Sequence, residues 1–302
     1  MKKYLYVGTI VLAAVLWGSM PVFSDLMREA GFLPIQKSAV RLSVAAIILL
    51  VSLAIFSPKQ LRVRWKDIPF FMLIGVGSVF AMSSLYMIAI EKTTAAVAAV
   101  LLYTSPIFIL IASVILFKEK ITRLKLFSLA LVVLGVVFVS GIIGGGEATV
   151  DLFGFGAGLL AGIVYAAYSI LCTFALRKYS SITVTAYSFL FAAIANLLAA
   201  DFPTICATVT GASNIPLTLL IMLGLGVVTA VLPFTLYTLG LSRVEAGRAG
   251  ILACIEPMTA TLFSVFLLHE PCTGIQWAGI LLILAAVVLL QIKPKKKENT
   301  YD

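Results

Sequence analysis

The sequence places a carboxylate where hydrocarbon makes one costly. Glu256 lies near the middle of Ala249–Pro271, an apolar segment of membrane-spanning length, and the helix breaker Pro257 follows it directly. An ionised carboxylate at that depth normally faces a cavity, pairs with a cation or carries a proton. Three kinds of chemistry follow: proton coupling, pairing with a substrate amine, or a structural hydrogen bond across helices at a proline kink. Earlier in the chain Ala98–Lys120 has the same character. Shifted by 151 positions, Pro106 falls on Pro257, Ser113 on Ser264 and Glu119 on Glu270, and Ser105 takes the place of Glu256.

Other polar groups stand at membrane depth. Arg41 lies well inside an apolar run, where it can bind a substrate carboxylate, snorkel to an interface or neutralise a buried acid such as Glu256. Trp17, Tyr86, Tyr103, Tyr165, Tyr168 and Tyr237 fall within apolar runs rather than at their ends. Such rings either pack helices or line a polar pocket that can enclose a cation. Tyr165 and Tyr168, spaced i, i+3, share one helix face. Asn196 adds a further polar group at depth, with Ser83, Ser84 and Thr104, although hydroxyls in spans commonly bond their own helix. Glu119 and Glu270, at the ends of apolar runs, are expected to anchor helix ends only.

These side chains need elements to carry them. The chain has 302 residues, 62% hydrophobic and 12% charged, far more apolar than a soluble domain can bury. A bilayer-crossing helix takes about 20 largely apolar residues, and ten such runs are present: Tyr4–Ser24, Ile35–Phe56, Ile68–Ile90, Thr94–Phe117, Leu124–Ile143, Leu152–Leu176, Ile182–Ala200, Pro216–Leu241, Ala246–Leu268 and Gly274–Ile292. Their length argues for helices rather than barrel strands. The first run resembles a signal peptide but lacks a convincing cleavage site, so it is expected to remain as a span. Pro21, Pro106, Pro233 and Pro257 are expected to kink or hinge their helices. Gly154, Gly158 and Gly162 mark a close helix contact, expected within one chain rather than in a dimer.

Charge sets the orientation. All lysines and arginines except Arg28, Lys37, Arg41 and Lys92 fall on one side of the ten runs or in the tail. Cytoplasmic loops carry such an excess, so both termini are expected in the cytoplasm. The formal charge of +9 is thereby accounted for without nucleic acid. The four cysteines and single histidine show no metal-ligand spacing, and no metal or cofactor is expected.

The 151-residue shift extends beyond the opening segments. Residues 84–122 align with 235–273 without a gap, with identities that include Leu85/Leu236, Tyr86/Tyr237 and Thr122/Thr273. The organisation expected is a first repeat over residues 1–143, a Gly-rich linker over 144–151, a second repeat over 152–292 and a basic tail over 293–302. Each half holds an odd number of spans, so the halves lie upside down relative to one another. Inverted repeats let one scaffold adopt inward- and outward-open states around a site at the repeat interface.

Trp17-Gly18-Ser19-x-Pro21, Arg41-Leu42, Pro106…Glu119 and Glu256-Pro257…Glu270 together resemble the EamA-type branch of the drug/metabolite transporter superfamily. The resemblance covers nearly the whole chain. It implies an all-α membrane protein of ten helices, built as two inverted five-helix repeats around a central cavity, working by alternating access. It further implies a bacterial inner-membrane carrier that exports amino acids or other small metabolites. No GxxxxGK[ST] motif is present, so a gradient must drive any uphill flux, with protons as one coupling ion. The competing expectations are an organic-cation carrier with an aromatic cage, an intramembrane enzyme and a non-transporting scaffold. A monomer embedded in lipid is expected.

Overall fold

Without water to satisfy backbone N–H and C=O groups, apolar runs of this length must close their hydrogen bonds internally, and helices do so. The computed structural model describes residues 2–143 and 151–291, and among these it contains no strand. Nine helical stretches reach 18 residues or more: Tyr4–Glu29, Pro34–Phe56, Trp65–Lys92, Ala95–Phe117, Leu152–Ala175, Ser181–Ala199, Ile215–Leu241, Ala246–Leu267 and Gly274–Gln291. The remaining one, Arg123–Val139, has 17 residues, the lower end of what crosses a bilayer. Numbered in chain order, these are spans one to ten. The linker expected at 144–151 and the tail at 293–302 fall outside the described residues, apart from Asp151. Asp151 caps span six, its carboxylate accepting from Phe153 N at 2.8 Å and Gly154 N at 3.0 Å.

The packing follows an exchange pattern between the halves. Span one packs on span eight and span three on span six, while span two meets span seven and span five meets span ten. Exchanging the two halves maps each of these contacts onto another or onto itself. Local irregularities repeat as well. A π-helical turn occupies Gly75–Phe80 in span three and Val227–Val231 in span eight. Each turn begins where a glycine meets another span. A Cβ on Gly75 would run into Ser188 O of span seven, and one on Gly226 would run into Val44 of span two. Spans four and nine are both interrupted, between Leu102 and Ser105 and at Cys254. Both end in a left-handed residue, Lys118 at φ 54° and His269 at φ 57°. The amides of Glu119 and Glu270 then turn back to Ser113 O and Ser264 O.

The four prolines singled out from the sequence each stand in the first turn after an interruption, where a missing N–H costs no helical bond. Pro21 follows the break at Gly18–Ser19, Pro106 and Pro257 follow the breaks in spans four and nine, and Pro233 follows the π-turn of span eight.

Loops 57–64, 118–122, 176–180 and 242–245 share one face of the bundle, here the basic face, which carries most of the loop lysines and arginines. There Lys178 Nζ reaches Asp67 Oδ1 at 3.2 Å, Tyr179 OH donates to Asp67 Oδ2 at 2.6 Å and Tyr187 OH donates to Leu61 O at 2.7 Å. On the opposite face a helix absent from the sequence expectation, Phe202–Thr210, buries Ile205 in a cluster with Met27, Phe32 and Leu225. Its residues are too few to cross a bilayer, so span-length reasoning passes over it.

Candidate functional site

Five of the singled-out residues converge. Glu256, Arg41, Tyr86, Tyr103 and Tyr165 come from spans nine, two, three, four and six, and each is half-buried although deep in the bundle. The Tyr103 hydroxyl faces the Glu256 carboxylate, and Arg41, Tyr86, Tyr165 and Cys254 lie within electrostatic reach of it. All five keep partial exposure at that depth. The breaks in spans four and nine build this arrangement. Tyr103 ends the first segment of span four and Glu256 opens the second segment of span nine, so both lie where the helix axis is interrupted.

Arg41 does not snorkel. Its Nη2 donates to Thr229 O at 2.6 Å, in the π-turn of span eight, and its guanidinium lies 5.7 Å from the Phe234 ring centroid. Its Nε is buried without a partner. The cation is thus fixed at one edge, with Glu256 within its electrostatic reach.

The remaining aromatic candidates pack against one another. Phe234 is their hub: its ring centroid lies 4.9 Å from Trp17, 5.4 Å from Tyr168 and 4.8 Å from Phe189, with edge-on geometry in each case. Tyr237 stacks 5.2 Å from Trp17 and shares a 2.8 Å hydrogen bond with Ser169 Oγ. Trp17, Tyr168 and Tyr237 are all buried, so with Phe234 and Phe189 they form a plug of packed rings. Ser105, 2% exposed, lines a narrow crevice with Tyr103, Tyr165, Tyr237 and Cys254. It therefore approaches the region of Glu256 from the other half of the molecule. Asn196 is not among this group. Its amide donates to Ala192 O of its own helix at 2.9 Å.

Sequence reasoning passed over Phe234 and Phe189, because nothing marks two phenylalanines among 19. It also assigned Glu119 to simple helix-end anchoring. In the structure the Glu119 side chain is 8% exposed and lies across from span nine, where its Oε1 accepts from Ala246 N at 2.8 Å. The glycines of span six contact their own chain: a Cβ on Gly158 would meet Leu101, and one on Gly162 would meet Leu101 O and Thr104. Among the described residues no group of His, Cys, Asp or Glu could hold a metal ion.

Helices of spanning length, repeated interruptions and a cluster of charged and aromatic side chains deep in the bundle define a multi-pass membrane protein of the transporter class. The EamA-like transporter family model matches the chain twice, over residues 5–141 and 152–292, and the chain belongs to that family. An uncharacterized transporter of Archaeoglobus fulgidus is 31% identical, with 93% of this chain and 94% of that protein covered. One from Clostridium kluyveri is 26% identical over 99% of this chain and 96% of its own. The uncharacterized inner membrane transporter YicL of Salmonella typhimurium is 25% identical, with 95% of each chain covered. A crystal structure with a TM-score of 0.78 covers 95% of this chain and 96% of its own at 19% identity, a likeness of fold.

Proposed function

We propose that this transporter carries a small zwitterionic metabolite, an amino acid in the first instance, and exports it across the bacterial inner membrane by alternating access. The basic face is then cytoplasmic, as the distribution of loop lysines and arginines favours. The observation that carries the reading is the gathering of Glu256 and Arg41, both partly exposed deep in the bundle, with Tyr86, Tyr103 and Tyr165. A carboxylate suits a ligand ammonium, and a guanidinium suits a ligand carboxylate. Tyrosine rings add apolar wall and hydroxyls between the two charges. Glu256, the acid in this group, is in the same reading the residue through which a proton gradient couples to the cycle.

The second reading is an organic-cation carrier, favoured by the convergence of three tyrosines on one carboxylate. Arg41 weighs against it, since a cation in the same cavity meets a like charge. Counterflow in proteoliposomes separates the two. Saturable exchange of zwitterionic amino acids with no exchange of choline is expected, together with faster flux under a pH gradient. Saturable choline exchange without amino acid movement reverses the assignment, and a rate indifferent to the gradient removes the proton.

A further inference from the structure

Spans four and nine meet on one face only. On the basic face the second segment of span four, Ser105–Phe117, packs against the first segment of span nine, Ala246–Ala253. Gly247 and Gly250 permit the approach: a Cβ on Gly247 would stand 2.9 Å from Leu110 Cδ1, and one on Gly250 would stand 2.8 Å from Ile109 Cδ1. Glu119 completes the contact. Its Oε1 accepts from Ala246 N at 2.8 Å and its Oε2 from Gly247 N at 3.4 Å, the first two amides of span nine. Lys125 Nζ lies 3.4 Å from Glu119 Oε2 and 2.7 Å from Glu245 Oε2, so it ties the end of span four to the start of span nine. A carboxylate on the orphan N–H groups of a helix start, with a cation beside it, is a strong and directional tie.

The same parts exist on the opposite face, unassembled. Glu270 corresponds to Glu119, Ala95 and Ala96 to Ala246 and Gly247, Gln276 to Lys125 and Thr94 to Glu245. Glu270 is exposed there, and the start of Ala95–Leu102 is capped by Thr94, its hydroxyl accepting from Val97 N at 3.2 Å. Gln276 is turned to Thr273 and to Val139 O instead. The outer segments of spans four and nine, Ala95–Leu102 and Ile255–Leu267, are not packed together as their partners are.

The geometry points to a reciprocal latch, resting on the alternating-access part of the function proposed above. Glu119 on the span-nine amides holds the basic face shut in the present state. In the alternate state it lets go, and Glu270 takes the Ala95 and Ala96 amides to hold the opposite face shut. The two latches differ in strength by design of sequence, because Lys125 supplies an ion pair that Gln276 cannot. The state closed at the basic face is therefore the one populated without ligand. Glu119 and Glu270 act as positioning residues that set the balance of states and do not touch the cargo.

Spin-label distances test this, with a mixture of zwitterionic amino acids serving as the substrate probe. In a Cys206→Ser background, Ile121→Cys with Ser242→Cys and Cys272→Ser reports on the basic face. Glu91→Cys with native Cys272 reports on the opposite face. In Glu119→Gln the population with a long basic-face distance and a short opposite-face distance is expected to rise on the order of tenfold, the worth of charged hydrogen bonds. Adding Glu270→Gln should return the distribution toward that of the unsubstituted protein. Lys125→Met, which leaves the carboxylate in place, should shift the balance the same way by less, and it serves if Glu119→Gln does not fold. A second population that appears with substrate yet ignores both glutamates overturns the latch alone. Distances that neither substrate nor any variant moves overturn alternating access itself.

Discussion

Tyr86 and Tyr237 hold equivalent positions in the two repeats and have opposite environments. Tyr237 is 1% exposed, hydrogen-bonded to Ser169 and stacked on Trp17, whereas Tyr86 is half-buried beside Glu256. Identical residues in duplicated segments start from the same local preferences. Their difference therefore comes from what the bundle packs against each: a cluster of rings around Tyr237 and the Glu256 carboxylate beside Tyr86.

Glu256 is the residue on which the proposed chemistry depends. Glu256→Gln keeps size and hydrogen-bonding atoms but removes both charge and proton. Flux in proteoliposomes is expected to fall at least about a hundredfold, in the range found when a proton-transfer group is lost. Thermal unfolding in detergent should change little, since the carboxylate makes few fixed contacts. Undiminished flux in a correctly inserted variant removes Glu256 from the mechanism.

Arg41→Lys distinguishes a fork from a point charge. The guanidinium both donates to Thr229 O and lies over Phe234, and an ammonium cannot hold both contacts while facing a ligand carboxylate. The half-saturating substrate concentration should rise about tenfold or more, with a smaller fall in maximal rate. An unchanged saturation curve assigns Arg41 to bundle architecture alone.

Gly18 marks where span one bends against span nine. A Cβ there would overlap the Thr259 hydroxyl, stand 2.7 Å from Thr259 Cβ and lie 2.9 Å from Ala260 N. Backbone cannot yield as a flexible side-chain end can, so Gly18→Ala is expected to destabilise by about 1–3 kcal/mol. A lowered melting temperature measured by intrinsic fluorescence checks this. Thr259→Ala should restore only part of the loss, because Ala260 N remains.

The architecture was legible because its signals are long. An apolar run of about 20 residues has few alternatives, and a carboxylate before a proline in such a run stands out against hydrocarbon. The convergence of Glu256 with Arg41, Tyr86, Tyr103 and Tyr165 was legible as a set of candidates but not as a grouping. Trp17, Tyr168 and Tyr237 carry the same sequence signal and pack into the plug of rings. For Tyr86, Tyr103, Trp17 and Tyr237 the sorting follows π-turns and breaks that periodicity does not register, whereas Tyr165 and Tyr168 share one uninterrupted helix and differ in what packs against each. Phe234 joins the rings of the plug but is one apolar residue within an apolar run. The role of Glu119 was hidden for another reason. Its partners are amides more than a hundred residues away, and backbone groups have no letter in a sequence.

One departure from the repeat has mechanical weight. Span one is broken at Gly18–Ser19, so Met20–Glu29 forms a separate segment, while its counterpart Leu152–Ala175 runs through without interruption. One half of the molecule thus has an elbow where the other has a strut. In the alternating-access cycle proposed above, opening and closing on the two faces are mechanically unequal for that reason. The side served by the elbow yields one segment at a time, and the side braced by the strut moves as a block. The two strokes of that proposed cycle then differ in stiffness, so the speeds of forward and return passage are set by different helices.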